Sequence, residues 1–327
     1  MTGKFFRYTT VLAAAVMFAS CSDKDYQVPQ PKTELQNDAI KRSIGPNMAG
    51  LRMEFAYAMA IPAGKGKIVS AQVEASIAGA PATFLEHRSF YTNGSGADIG
   101  VVVGDPSENK GNTTSVTFTK DTMAATLRYY YVPADEARGK EVSFKFTARA
   151  SNGETVSYDL GPYKIANMEM KLDIALADNG AKYISIADMA AYNQADAALH
   201  ADKIDLVYLH RSIPNITFGH ALVAPAADPQ YLPGITLPAG VNRDAKLMKT
   251  WNLRDQQLAR LSQGVFIDDV DFQKLTFGDV ADYTLNLAKE YGVWVETADG
   301  KYRAYIFINA ANSNKTAVIS IKRYTMK

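Results

Sequence analysis

The side chains best placed to do chemistry in this 327-residue chain lie near its C-terminal end, in "YGVWVETADGKYRAYIFIN". An Asp299-Gly300 pair is the composition of a type I′ hairpin turn. With that turn, Glu296 faces Arg303, Val295 faces Ala304, Trp294 faces Tyr305 and Val293 faces Ile306. One face is apolar throughout. The other sets two aromatic rings beside a carboxylate and a guanidinium, a set that can hold a sugar: the rings stack on its apolar side and the charged groups bond its hydroxyls. A plainer alternative is that a helix covers this face and Trp294 is core. It is the favoured one, because cross-strand aromatic and ionic pairs stabilise a hairpin by roughly 0.2–1 kcal/mol each without a ligand.

Other chemistry is thinner. Tyr231 and Trp251 are further candidate ligand-binding aromatics, in or beside the segment Arg211 to Lys246. That segment carries five prolines and little regular pattern. Loops of this length are often functional, but the segment also fits a proline-pinned crossover. Cutting out Pro225 to Pro238 is then expected to change stability little. Asp268, Asp269 and Asp271 offer hard oxygen ligands but lack the spacing of an EF-hand, so a solvated turn is expected there. His87, His200, His210 and His220 show no metal-ligand spacing. No nucleophile elbow, phosphate-cradling loop or dinucleotide fingerprint occurs, and His220 with Asp228 does not make a convincing base for a serine. No catalytic residue, metal or cofactor is expected.

The elements that must position these groups fall into two rhythms. From 44 to 165, runs such as "KIVSAQVEASI", "ATLRYYYV" and "EVSFKFTARA" alternate apolar and polar residues between Gly, Pro and Asn. In Tyr129–Tyr131 at least one ring should point outward. In "VSFKFTARASNGETVSYDLG" a two-residue turn mixes the two faces. A three-residue loop, Ser151-Asn152-Gly153, sets Ala148, Phe146 and Phe144 opposite Val156, Tyr158 and Leu160, so the register should follow it, with Gly153 left-handed. These features predict an immunoglobulin-like β-sandwich. From 166 to 327 the chain predicts an α+β domain on a mostly antiparallel sheet. Ser185 and Asp188 suggest a capping box before a helix in "IADMAAY". A second short helix is expected in "QADAALHA", a strand in "KIDLVYL", and a helix over 253–261. The fold class is therefore mostly β with α+β character.

Composition supports a core of ordinary size: 47% hydrophobic, 21% charged, formal net charge +1. No basic block occurs, so nucleic acid finds no electrostatic support as a partner. The first residues supply a location. Lys4 and Arg7 precede an apolar run, Val11 to Ala19, too short to span a bilayer. It ends in Phe18-Ala19-Ser20-Cys21, which resembles a bacterial lipobox, although Phe18 departs from the usual leucine. The resemblance implies a signal peptide over 1–20 and an acylated Cys21, the sole cysteine. Residues 21–43 are polar and proline-bearing, the composition of a tether. Asp23 and Asp25 resemble the export signal of Bacteroidetes surface lipoproteins.

"NDAIKRSIGPNMAGLRMEFAYAMA", "AATLRYYYVPADEARGK", "DKIDLVYLHR" and "WVETADGKYRAYI" resemble a family of Bacteroidetes gut lipoproteins of unknown function with an N-terminal immunoglobulin-like domain. The resemblance implies an outer-membrane lipoprotein held by an N-terminal lipid anchor. It carries no catalytic or binding residues. The functional expectation is a non-catalytic surface binding module, with glycan capture foremost. The alternatives are a structural component of a fimbria-like surface assembly and a hydrolase with an unrecognised site.

Overall fold

A computed structural model describes residues 32–326. The expected signal peptide, Cys21 and the expected tether up to residue 31 lie outside the described residues. The chain is mostly β, in sheets that are almost wholly antiparallel, with three short α-helices among the described residues.

The first domain is a two-sheet sandwich. One sheet runs in the order Gln36–Lys41, Met53–Ala60, Ala124–Tyr131, Phe84–Leu85. The other runs Asn47–Met48, Thr155–Ala166, Glu141–Ala150, Ile68–Ala75, Thr113–Thr117, Glu108–Lys110. Alternation does what the sequence predicts: Phe55, Tyr57, Tyr129, Tyr131, Phe144 and Phe146 all point between the sheets and are buried. Phe55 lies 4.8 Å from Phe144, ring to ring, and Tyr131 meets Phe144 edge-on at 4.9 Å. Tyr130 is the outward ring of its triplet, under the Arg52 guanidinium at 4.7 Å. The 141–166 hairpin adopts the expected register, Ala148 opposite Val156 and Phe146 opposite Tyr158, with Gly153 at φ 93°.

The tether expectation fails at its C-terminal end, because Gln36–Lys41 is a strand. Leu35 and Ala39 face the core. Between them Asn37 bridges the two sheets, donating to the carbonyl of Phe146 at 3.0 Å and to the Tyr57 hydroxyl at 3.2 Å. A polar residue at an inward position hid the alternation.

The second domain has two five-stranded sheets. One is ordered Met168–Ala177, Thr316–Thr325, Tyr302–Asn312, Tyr291–Glu296, Lys246–Trp251. The other is ordered Ala190–Tyr192, Tyr183–Ser185, Leu206–Ile213, Ile216–Val223, Tyr283–Leu287. Ile184, Leu206, Leu222, Val293, Val295, Ile306 and Ile319 fill the space between them. Helices are slight. Gln194–Leu199 forms as expected, with the Asn193 side chain accepting from the amides of Ala195 and Asp196. "IADMAAY" does not become a helix. Ser185 Oγ accepts from the Asp188 amide at 3.1 Å, but the bond closes a turn and the chain returns as the strand Ala190–Tyr192. The helix expected over 253–261 is only Gln256–Ala259, stopped by Arg260 in the left-handed region at φ 54°. The proline-rich segment is also less irregular than expected, since "ITFGHALV" is the strand Ile216–Val223.

Candidate functional site

The aromatic hairpin has the register read from sequence: Trp294 faces Tyr305 and Glu296 faces Arg303. Its turn is not type I′. Gly300 is left-handed at φ 60°, Asp299 is not among the described residues with positive φ, and Gly300 N–H closes back on the Thr297 carbonyl at 2.8 Å. The sugar-platform expectation is overturned by burial. Trp294 is 6% exposed and Tyr305 0%. The helix Asp269–Lys274 lays Phe272 edge-on against Trp294 at 5.3 Å, and Leu258, Ile267 and Met48 complete the cover. Tyr305 reaches across Gly292, where any Cβ would lie 1.9 Å from its hydroxyl, and donates to the Leu253 carbonyl at 2.6 Å. Burial pushes its phenol up to about 12. Arg303 bonds Glu296 at 2.9 Å and caps that same helix, donating to the Phe272 carbonyl at 2.6 Å. These four side chains are brought together, as core and cap.

The covering helix was expected to be a solvated acidic turn. Instead Asp268 and Asp271 close a capping box, which satisfies orphan amides of the first turn. Asp269 is buried against Lys164 of the first domain. No group of three acidic, histidine or cysteine side chains that could hold a metal occurs among the described residues. A buried ion pair holds the cover down. Lys322, fully buried, donates to Asp255 at 2.5 Å, Gln257 at 2.9 Å and the Ile267 carbonyl at 3.0 Å. Asp255 accepts in turn from the amides of Gln257, Leu258 and Ile267.

The remaining candidates are apart from this cluster. Trp251 is 64% exposed on the edge strand Lys246–Trp251, with the Lys249 ammonium 5.2 Å from its ring and Tyr291 edge-on at 6.3 Å. Tyr231 stacks on Tyr283 at 3.6 Å, so one ring face is already taken. His210 and His220 face one another across two strands at 4.4 Å, and His220 Nδ1 meets the Tyr208 hydroxyl at 2.7 Å. Burial first, then His210, pulls the His220 pKa below its ordinary value. Asp228 caps the turn Pro229–Tyr231, accepting from the Gln230 amide at 2.9 Å.

An opening that can take a ligand lies in the first domain, at residues the sequence did not single out. A groove of about 710 Å³ is lined by Gln36, Asp38, Ala58, Ala60, Tyr91 and Ala124 among others. Strand pairing explains its floor. Gln36, Ala60 and Ala124 form one rung, and Asp38, Ala58 and Thr126 the next. Their neighbours Ala39, Met59 and Ala125 turn inward, so these rungs face out. Small side chains at outward positions leave a trough where longer ones would fill it.

The hairpin Arg88–Thr92/Asp98–Val102 rises beside this trough. Its loop is built by Asn93, whose side-chain Oδ1 accepts from the amides of Ser95 and Ala97 at 3.0 and 2.9 Å. Ser89 Oγ accepts from the Thr126 amide at 3.0 Å, which turns that face of the strand toward the sheet. Tyr91, two residues on, shares the face and stays 56% exposed. The hairpin is clamped near its loop. Arg128 bonds Asp98 at 2.7 Å and stacks over Phe90 at 5.3 Å, while Phe90 fills the space over Gly100. Tyr158 completes the lining with a second exposed ring. Asp38 Oδ1 accepts from the Ala39 amide at 2.8 Å, and Oδ2 has no protein partner among the described residues. The signal that could have located the groove is "FAYAMA", in which alanine takes each position opposite the core side.

Two family models of domains of unknown function match the chain: DUF4466 over residues 32–165 and DUF8576 over residues 166–326. A solved DUF4466 family protein from Parabacteroides merdae ATCC 43184 is 44% identical. The match covers 90% of this chain and 100% of that one, with a TM-score of 0.84. The major pilin of Bacillus cereus is 12% identical over 59% of this chain and 60% of its own, with a TM-score of 0.30. The major pilin GBS80 of Streptococcus agalactiae, as a C-terminal fragment, is 9% identical over 88% and 91%, also at 0.30. At that score neither carries an argument. No curated protein matches.

Proposed function

This chain belongs to the DUF4466 family, and from that premise we propose a surface-anchored, non-catalytic binding module that captures a glycan chain in the groove of its first domain. The observation that carries this is the groove itself: an open trough of about 710 Å³ with two exposed tyrosines on its lining and an alanine floor. Gln36, Asp38, Ser89 and Thr126 supply polar groups for hydroxyls along it. An extended polar chain with apolar ring faces fits that mixture. The lipobox-like Cys21 supports a lipid anchor, and with it an outer-membrane, cell-surface location. Immunoglobulin-like is the finer description we attach to the first sandwich.

The test is binding of the full chain to a panel of dietary and host glycans, with Tyr91→Ala alongside. Binding to at least one glycan, lost in the variant while its unfolding transition is unchanged, supports the proposal. Binding that survives the variant moves the site elsewhere. For the anchor, Cys21→Ala should leave the protein soluble in the periplasm and unlabelled by palmitate. Membrane partition that persists in the variant would refute lipidation at that residue.

A second possibility, assembly through β-edges, is favoured by one feature. The strand Asp98–Val102 is the outer edge of its two-stranded sheet and exposes Ile99, Val101 and Val102. Apolar edges of this kind pair readily with other strands. Charge introduced at Val101 should abolish such assembly and leave glycan capture intact, as read by crosslinking of surface neighbours.

A further inference from the structure

The groove's charge is one-sided. Among its lining residues Asp38 is the sole ionisable side chain other than tyrosine, and no Lys, Arg or His lines it among the described residues. Nearby cations are committed elsewhere. Arg128 is bound to Asp98 and stacked on Phe90. Arg88 is bound to Glu86 at 2.7 Å, Arg42 to Glu54 at 2.6 Å, and Lys41 donates to the Ser43 carbonyl at 2.6 Å. Asp38 stands on the floor with Ala58 beside it and Thr126 beyond, so nothing bulky shields its outer oxygen. The exposed rings of Tyr91 and Tyr158 line the same space.

Resting on the glycan proposal, we infer that this groove selects amine-bearing sugars, oligosaccharides carrying free ammonium groups, over their N-acylated counterparts and against acidic ones. The chemistry is direct. A carboxylate with an open oxygen accepts charge-assisted hydrogen bonds from an ammonium. The electron-rich face of a tyrosine attracts the same cation. An N-acyl group removes the charge. A uronate or sulfate brings a like charge beside Asp38 with no basic group to offset it, at the cost of its own hydration. Asp38 is thus a specificity-determining residue of the proposed site.

The test measures affinity of the full chain for an oligomer of glucosamine, the same oligomer fully N-acetylated, and an oligogalacturonate, with Asp38→Asn in parallel. Asn keeps the acceptor for the Ala39 amide, and the position is exposed, so the variant should fold. The expected result is about tenfold tighter binding of the free amine than of the N-acetylated oligomer, the size of one charge-assisted contact. The oligogalacturonate should be weakest. Asp38→Asn should bring the first two within about twofold and remove the salt dependence of amine binding. Equal binding of the amine and N-acetylated oligomers, or a preference that survives Asp38→Asn, overturns the inference and leaves glycan capture standing. Binding of neutral glycans from the wider panel without binding of any of these three also overturns it. Failure of every glycan overturns the proposed function and this inference together.

Discussion

Two surfaces of this molecule carry tyrosine beside a carboxylate, and they have opposite fates. On the Trp294–Tyr305 hairpin the groups are large and crowded, and the chain between Asp255 and Lys274 folds back to bury them. In the first domain the groups are sparse, set among alanines, and left open. A cluster of aromatic rings carries a large apolar area, so it recruits its own cover. A binding groove shows instead as missing bulk at outward positions. Richness in aromatics marks core, and a ligand site is more readily marked by what is small beside a few exposed rings.

The largest effect should come from cutting out Pro225 to Pro238. Ala227 and Leu232 are buried beneath the second sheet, the Pro233 carbonyl accepts from Arg211 at 2.8 Å, and the Thr236 carbonyl accepts from Gln194 at 3.1 Å. The deletion should abolish the cooperative thermal transition of the second domain, contrary to what the sequence suggests. A transition shifted by only a few degrees would mean that the segment is not core.

Next come the groups that make the hairpin face a core. Trp294→Ala should cost about 3–5 kcal/mol, as for other large aromatics in packed interiors. Lys322→Ala should cost a similar ~3–5 kcal/mol, because it leaves the buried Asp255 side chain without its partner. Burial already pulls the Lys322 pKa down, so the pair stands on its hydrogen bonds. Denaturant midpoints check both. A Trp294→Ala variant within about 1 kcal/mol of the parent would place that ring on a surface after all.

A smaller, pH-dependent effect sharpens the picture of the second domain. Asp205 is buried, which pushes its carboxyl up from 3.8 to about 6, against hydrogen bonds from the Ile186 amide and Arg243. The folded state therefore holds this proton more tightly than the unfolded chain. Its contribution is fully present below pH ~4 and is lost as pH rises to ~6, a change of about 3 kcal/mol at most. Asp205→Asn should flatten that decline in stability over this window. Asp299, held below its ordinary value by Thr297, the Lys301 amide and Arg243, acts in the opposite sense and at lower pH. A decline of unchanged slope in Asp205→Asn would assign it to other groups.

The smallest effect on stability belongs to the groove. Tyr91→Ala should change stability by less than about 0.5 kcal/mol, since the ring is exposed, while weakening ligand binding at least tenfold.

Much of the β-framework was legible because alternation and turn chemistry are local. The 151–153 loop and the pairing of Trp294 with Tyr305 follow from keeping one face apolar. What hid was set by distant partners. Asn37 takes an inward place because two carbonyls and a hydroxyl await it from strands far along the chain. Asp268 to Asp271 form a cap because Phe272 has Trp294 to pack against. The groove was invisible for the same reason: Asp38, Ala58 and Thr126 are neighbours only after three strands pair.

The most direct measurement is hydrogen exchange of the full chain with and without a saturating glucosamine oligomer. Protection is predicted over residues 36–38, 58–60, 89–91 and 124–126, with residues 293–305 already protected and unchanged. Ligand-dependent protection confined to 293–305, or to the exposed Trp251 edge, would contradict the assignment of the groove as the binding surface.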